Sequence, residues 1–261
     1  MLSLQDPKSR RFKFFGAYID PLTMEETLQC VNRTIQDRVI MQHVVINVAK
    51  LVMMQKDEKL SEIVNACPLI NADGQEIVWG ARLLGLKIPE RVAGIDLMNK
   101  LIERAAERGY RIYLLGAQKE IITRVEEIWR QRYPSLEIVG CQDWYFTEDQ
   151  EPNIVGQIHN SRADILFVAM GSPKKEVFLN KYLDGLNVPF VMGVGGSFDV
   201  VAGKTKRAPE WMQKAGLEWF YRFLCEPGRM WGRYLVTNSI YAVMLMKALL
   251  NREKYAKVIK N

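Results

Sequence analysis

Histidine and cysteine are scarce in this chain of 261 residues, which has two of the first and four of the second. The cysteines lie far apart, without a C-x-x-C pair, at Cys30, Cys67, Cys141 and Cys225. This spacing argues against a cysteine-rich zinc site and a dense disulfide framework. We interpret the cysteines as small buried apolar residues in a reducing compartment. His43, in a predicted strand, and His159, late in a predicted helix, are interpreted as structural or solvent-facing, so no Ser-His-Asp chemistry is expected.

Three further signals are missing. The chain has no D-x-D carboxylate pair, the usual metal-binding signature of nucleotide-sugar transferases, so we expect no metal site. No uninterrupted apolar run approaches the roughly 20 residues that a spanning helix needs. The basic segment 1–15 lacks the apolar region and the cleavage site of a secretory signal. The last two absences predict a chain without a secretory signal and without a membrane-spanning helix.

Positive charge is concentrated at the C-terminal end. The net charge is +6, but residues 203–261 hold 12 basic and 4 acidic residues, a balance of +8, and residues 1–202 carry −2. Such asymmetry predicts a polyanionic partner, which is a nucleic acid, a membrane surface or a phosphate-bearing ligand.

The hydrophobic pattern predicts an α/β core followed by a helical appendage. Strands are predicted over residues 12–19, 43–48 and 68–72, and a helix begins at the capping box formed by Thr23 and Glu26. From Arg111 onward, apolar strands alternate with helices of 10–15 residues, which is typical of a largely parallel sheet. After Pro209 only helices follow, rich in aromatic residues, methionine and arginine. We place the boundary near Gly203, between a core of residues 1–202 and an appendage of residues 203–261.

Two charged residues near predicted strand ends are candidates for chemistry, because ligands bind at the carboxyl ends of parallel strands. Asp73 directly follows a buried strand and could act as a general base, although the tetrapeptide Asn71-Ala72-Asp73-Gly74 alone favours a local N-cap. Arg91 precedes a helix and could bind a pyrophosphate, or it could be a solvated surface residue.

Two glycine-containing turns add candidate phosphate contacts. Gly171 to Lys174 opens a helix whose N–H groups could bind phosphate, or it is simply a tight connection. The segment from Gly193 through Gly195 to Asp199 allows close backbone approach, and Asp199 could accept from a base or ribose. Neither the G-x-G-x-x-G nor the Walker A spacing is present, so we expect no nicotinamide and no other cofactor.

Several such segments occur together in a fixed order. They are residues 71–74 (NADG), 90–97 (ERVAGIDL), 171–174 (GSPK), 193–198 (GVGGSF), 207–212 (RAPEWM), 216–219 (GLEW) and 226–227 (EP). In this order and spacing the chain, over about residues 12–235, resembles the WecG/TagA/CpsF family of bacterial glycosyltransferases (glycosyltransferase family 26). The resemblance implies a Rossmann-like α/β core of the type called GT-E, with a C-terminal appendage that contacts the membrane and closes the active site.

The resemblance also implies an activity. Family members are inverting, metal-independent enzymes that move a sugar from a UDP-sugar to a polyprenyl-diphosphate-linked saccharide at the cytoplasmic face of the membrane. It implies that Asp73 is the base, that Asn47 lies on the acceptor side and that Arg91 lies near the diphosphate. It further implies nucleotide contacts from Tyr145, Asp199, Arg222, Arg229 and Arg233. Together with the candidates from the glycine-containing turns, Gly171, Lys174 and Gly195, these residues form the predicted UDP-binding set. Physically, without a metal, the charge of the leaving diphosphate must be met by arginine, lysine and helix N-termini.

Departures from the family pattern concern the substrates. Lys175 stands where the family usually has glutamine, Trp144 where it has glycine, and Val44-Val45 where a threonine is frequent. The sequence names neither the donor sugar nor the acceptor, and a homo-oligomer is left open.

Two alternatives to catalysis remain, a single-stranded nucleic-acid-binding protein using the basic aromatic tail and a non-catalytic scaffold. The near-neutral core and the absence of an RNA motif argue against nucleic acid. We expect the apolar segment Leu235 to Leu250 to lie in the membrane interface, or otherwise to pack as a cap on the core.

Overall fold

A six-stranded, all-parallel sheet forms the centre of the structure, which is a computed structural model. The structure describes residues 10–225 and 227–251. At residues 214, 222, 225 and 227–235 it describes the backbone only. Its strands are β3 (Met41–Ile46), β4 (Leu69–Ala72), β5 (Arg111–Gly116), β6 (Glu137–Gln142), β7 (Ile165–Ala169) and β8 (Phe190–Gly193). Their order in the sheet is β4-β3-β8-β7-β5-β6. The predicted parallel, Rossmann-like α/β core is therefore confirmed.

A short antiparallel hairpin precedes the sheet, and the prediction of one strand over residues 12–19 is wrong. Phe15 and Gly16 have φ of 46° and 83°, and this left-handed turn separates β1 (Phe12–Phe14) from β2 (Ala17–Ile19). Asp20 fixes the hairpin to the sheet. Its carboxylate accepts from Arg11 Nε at 2.7 Å and from the Ile70 N–H at 2.7 Å.

Helices cover both faces of the sheet. They are α1 (Met24–Asp37), α2 (Val48–Met54), α3 (Glu58–Ala66), α4 (Gln75–Leu83), α5 (Gly94–Arg108), α6 (Lys119–Arg132), α7 (Glu151–Ser161), α8 (Lys174–Leu186) and α9 (Ser197–Val201). The predicted capping box of α1 is confirmed, since Thr23 Oγ1 accepts from the Glu26 N–H and Glu26 accepts from the Thr23 N–H.

Two apolar layers hold the helices to the sheet. One face packs against α1, α5, α6 and α9, and the other against α2, α3, α4, α7 and α8. Phe167 and Phe190 are fully buried in strands, as expected for parallel strands that are covered on both faces. Full burial of one such side chain stabilises the fold by about 1.5–3 kcal/mol. This packing holds the carboxyl ends of the strands, and the loops that follow them, in fixed positions.

Three helices form the C-terminal appendage, namely α10 (Glu210–Lys214), α11 (Glu218–Cys225) and α12 (Pro227–Leu250). The predicted run of helices is thus confirmed as far as residue 250. Helix α12 packs against the core through Tyr241, which is 7% exposed, lies beside the rings of Phe14 and Phe15, and donates to Glu76 O at 2.7 Å. No helix in the described ranges is both long enough and apolar enough to cross a membrane. The domain boundary near residue 203 stays a prediction.

Candidate active site

A cleft of about 540 Å³ opens at the carboxyl edge of the sheet. The loops after β3, β4, β7 and β8 form its core side. The appendage contributes Gly216, Glu218, Trp219, Thr237 and Asn238. Core and appendage therefore build this cleft together, in the position where parallel sheets bind ligands.

Asp73 is held rigidly at the mouth of β4. Its N–H donates to Ile46 O at 2.9 Å, and its Oδ1 accepts from the Gly94 N–H at 3.1 Å. The expectation of a local N-cap is wrong, because the N-cap of α4 is Gly74, which makes no side-chain cap bond. Asp73 instead meets the first N–H of α5, whose positive end stabilises a carboxylate. The aspartate is thus a fixed anion facing the cleft.

Asn47 directly follows β3, the strand that pairs with β4. Ile46 of β3 is paired with Ala72 of β4, so the residues that follow the two strands, Asn47 and Asp73, enter the cleft side by side. The Asn47 Oδ1 caps α2 by accepting from the Lys50 N–H at 3.0 Å. This bond fixes the orientation of the amide beside the candidate base.

Arg91 is largely buried, with 14% of its side chain exposed, so the solvated alternative is wrong. Its guanidinium lies 3.3 Å from Glu218 of α11 and 4.0 Å from Asp96 of α5. Arg207 binds the same Asp96 with two hydrogen bonds of 2.6 and 2.8 Å. These paired charges tie the appendage to the core along one wall of the cleft.

Glu76 is a carboxylate of the cleft that the sequence analysis did not single out. Burial raises the pKa of its carboxyl, its own backbone N–H opposes the rise, and the charge of Asp73 adds to it. Glu76 is the second residue of α4, and the charge of Asp73 acts on its carboxyl group, so the two carboxyl groups lie near each other. A second candidate proton acceptor therefore lies next to Asp73.

Three of the predicted nucleotide contacts line the same cleft, namely Gly171, Gly195 and Asp199. Gly195 has φ of +53°, which favours glycine. The Asp199 carboxylate lies 3.7 Å from Lys204 Nζ. The structure places these residues in the same cleft as Asp73, Asn47 and Arg91. No single sequence motif indicates that all six residues converge.

Two of the remaining predicted contacts, Lys174 and Tyr145, do not line the cleft. Lys174 is exposed at the start of α8 and does not line the cleft. Tyr145 is 71% exposed, follows the edge strand β6, and its hydroxyl accepts from Gln118 Nε2 at 3.3 Å. The side chains of Arg222, Arg229 and Arg233 lie outside the described residues, where only the helical backbone of α11 and α12 is described.

Both histidines and three of the four cysteines are among the described side chains, whereas the side chain of Cys225 lies outside them. Burial lowers the pKa of His43 to about 4, and its Nε2 pairs with Asn71 Oδ1 at 2.9 Å. His159 is exposed late in α7, as predicted. Cys67 is buried, which raises the pKa of its thiol to about 12, whereas Cys30 and Cys141 are only half-buried. Within the described part of the chain, no three histidine, cysteine or acidic side chains converge in a way that could hold a metal ion.

Comparison with known families agrees with this geometry. A family model described as glycosyl transferase WecG/TagA/CpsF family matches residues 12–255. The chain belongs to this family. Membership identifies a glycosyltransferase of cell-surface polysaccharide synthesis, which acts on a sugar donor and an acceptor. The WecG/TagA/CpsF match also extends through α12, so it includes the appendage that completes the cleft.

Proposed function

We propose that this glycosyltransferase moves a sugar from a UDP-sugar to a polyprenyl-diphosphate-linked saccharide, with inversion and without a metal, at the cytoplasmic face of the membrane. The observation that carries the proposal is that one cleft brings together Asp73 and Asn47, which follow β4 and β3, and the glycine turn with Gly195 and Asp199, which follows β8. We assign the first pair to the acceptor and the glycine turn to the nucleotide.

The reaction is one in-line displacement. An acceptor hydroxyl oxygen attacks C1 of the donor sugar, and Asp73 takes the hydroxyl proton as the new C1–O bond forms. The bond between C1 and the phosphate oxygen breaks on the opposite face, and its electron pair leaves with UDP. The hydrogen bond from Gly94 keeps the Asp73 carboxylate in place for this role. One base is sufficient, and inversion at C1 follows from attack opposite the leaving group.

We assign nucleotide binding to the segment that follows β8, the strand next to β3 in the sheet. Gly195 allows the backbone to approach the diphosphate closely, and Asp199 accepts from the ribose or the base. Arg91 supplies positive charge near the leaving group, while its contact with Glu218 keeps α11 over the cleft. Arg222, Arg229 and Arg233 remain candidate phosphate contacts on the helices that cover this region.

Membrane attachment is assigned to the outer face of α12. Exposed apolar side chains recur on this helix at the helical spacing, at Val236, Val243, Met246 and Leu250. The sequence continues into a basic tail, with Arg252, Lys254, Lys257 and Lys260. An apolar face together with a cluster of lysines and arginines supplies the two signals that stable attachment to an anionic surface requires.

The test is product formation by the purified full chain. The chain is incubated with a panel of UDP-sugars and short-chain polyprenyl-diphosphate saccharides, in chelator and with added Mg²⁺, and products are identified by mass spectrometry. We expect one donor to give a product with inverted anomeric configuration in both conditions. A retained configuration would contradict the single displacement, and activity only with Mg²⁺ would contradict the metal-free reaction. Release of UDP without glycosylated lipid would contradict the proposed acceptor, and no reaction would favour a scaffold.

A further inference from the structure

A row of side chains on helix α4 leads out of the cleft and becomes apolar outside it. Gln75, Trp79 and Leu83 are spaced by four residues, so they follow one another along one face of the helix. Gln75 lines the cleft, whereas Trp79 and Leu83 lie outside it and are 46 and 54% exposed. At about 1.5 Å per residue, the row is about 12 Å long. A strip of exposed apolar surface therefore begins next to the cleft wall.

This apolar pair differs from the other exposed large apolar side chains of residues 10–202. Tyr18, Val39, Tyr145 and Val177 are also exposed, but each of them lies on a different element or loop. Single exposed apolar residues are normal on a folded protein, whereas contiguous apolar surface beside a cleft is typical of an interaction site. The pair on α4 is therefore a candidate for contact with an apolar ligand.

Trp79 lies against the part of the appendage that closes the cleft. Gly216, which lies between α10 and α11 and lines the cleft, has φ of +67°. A Cβ there would lie 2.7 Å from Trp79 Cη2 and 2.9 Å from Gln75 Cγ, so the glycine leaves room for both side chains. The tip of the indole ring is therefore next to a residue of the cleft wall, and the apolar strip is continuous with the cleft.

The row also borders α12. Gly80, the residue after Trp79, is covered by Tyr241 of α12, since a Cβ on Gly80 would lie 3.1 Å from Tyr241 Cζ. The same helix carries the exposed side chains of Val243 and Met246, which belong to the face that we assign to the membrane. The apolar row thus connects the cleft with the helix on which we expect the membrane to lie.

We propose that Trp79 and Leu83 form a subsite for the first isoprene units of the acceptor's polyprenyl chain. The assignment rests on the proposed function, which supplies the lipid-linked acceptor. With the reacting hydroxyl at Asp73, the saccharide occupies the cleft and its diphosphate lies near Gln75, where the row begins. The prenyl chain then continues over the exposed pair towards the membrane. Contact with the row removes apolar surface of both partners from water, which favours binding in proportion to the area covered.

The experiment is calorimetric titration of the full chain with farnesyl diphosphate and with methyl diphosphate, which share the diphosphate and differ in the prenyl chain. We expect the wild type to bind farnesyl diphosphate more tightly by about tenfold or more, because only its chain covers the apolar row. Trp79→Gln and Leu83→Gln should each weaken farnesyl diphosphate binding by about fivefold or more. Both variants should keep the wild-type affinities for methyl diphosphate and for UDP.

Trp79→Phe and Val177→Gln are the matched controls. The phenylalanine keeps an apolar ring on the row, so Trp79→Phe should retain most of the affinity that Trp79→Gln loses. Val177 is an exposed valine of α8 that does not line the cleft, so Val177→Gln should bind both diphosphates like the wild type. If Trp79→Gln lowers the melting temperature, because its ring also packs against Gly216, Leu83→Gln decides.

The outcomes also separate this inference from the proposed function. Equal affinities of the wild type for the two diphosphates, or an unchanged farnesyl diphosphate affinity in both glutamine variants, would overturn the subsite. Glycosylation of a short-chain lipid acceptor by the wild type would then leave the proposed function intact. Weaker liposome sedimentation or a smaller mass in analytical ultracentrifugation, at unchanged farnesyl diphosphate affinity, would assign the row to the bilayer or to a second copy of the chain instead. The expected losses in a protein that forms no glycosylated lipid would uphold the subsite and refute the proposed transfer.

Discussion

Substitution of Gly80 by alanine should displace the C-terminal helix α12 from the core. Gly80 lies inside α4, directly beneath Tyr241 of α12. A Cβ at this position would collide with the Tyr241 hydroxyl and would lie 3.1 Å from its Cζ and 3.3 Å from Phe14 Cζ. The hydroxyl would have to leave Glu76 O, to which it donates at 2.7 Å.

The expected cost follows from three contributions. Overpacking a well-filled site costs about 1–3 kcal/mol. Loss of the Tyr241 hydrogen bond costs about 1 kcal/mol. Alanine gains about 0.5–1 kcal/mol over glycine in a helix interior, which offsets part of the loss. Gly80→Ala should therefore lower the free energy of unfolding by about 1–3.5 kcal/mol. It should also reduce turnover, because Thr237 and Asn238 of the displaced helix line the cleft.

A double-mutant cycle with urea denaturation tests this prediction. Tyr241→Phe removes the hydroxyl and should cost about 1 kcal/mol by itself. In the Gly80→Ala/Tyr241→Phe variant the collision is relieved, so the double variant should be more stable than the sum of the single effects. Gly80→Ala with wild-type stability, or strictly additive effects, would refute the packing of Tyr241 on Gly80.

Three further predictions concern pH, charge and the membrane. His43 has a pKa of about 4 in the fold and about 6.5 when unfolded, so between these pH values the unfolded chain binds more protons than the folded chain. The free energy of unfolding should therefore fall by about 3 kcal/mol as the pH drops from 6.5 to 4. Thermal melts of His43→Gln should lack this part of the pH dependence. Arg91→Lys keeps the charge but cannot reach Glu218 and Asp96 together, so kcat/KM should fall about tenfold or more, and an unchanged value would remove Arg91 from the site. Met246→Glu should weaken sedimentation with anionic liposomes, whereas Val177→Glu, at an exposed valine of the core helix α8, should not; equal effects would refute attachment through α12.

The core fold could be predicted from the sequence because its signals are local and repeated. Apolar strands alternating with helices from Arg111 to Gly193 indicated the parallel sheet, and the pair Thr23 and Glu26 marked the start of α1. The hairpin at residues 12–19 was missed because its turn begins with Phe15, a residue that rarely adopts a positive φ.

The candidate site could be predicted only where one motif carried the information. Asp73, Arg91 and Asp199 line the cleft as the motif order implied. The contact between Arg91 and Glu218 joins residues 127 positions apart, and Lys50 and Glu176 are separated by 126. Such pairs depend on strand order and on the packing of α2 against its neighbours, which no local pattern contains. Tyr145, which the motif also implied, is exposed and does not line the cleft, and its role as a nucleotide contact stays a prediction.

The most direct test of the central claim compares Asp73→Asn with the wild type. The asparagine keeps the shape and the contact with the Gly94 N–H but cannot accept the acceptor's proton. With the donor and acceptor that the wild type uses, turnover should fall by about 10²–10⁴ while UDP affinity stays unchanged. Asp184→Asn, at an exposed aspartate of α8, is the matched control, and Glu76→Gln tests the neighbouring carboxyl. Near-wild-type turnover of Asp73→Asn would contradict the account, and a loss seen only in Glu76→Gln would transfer the role of base to Glu76.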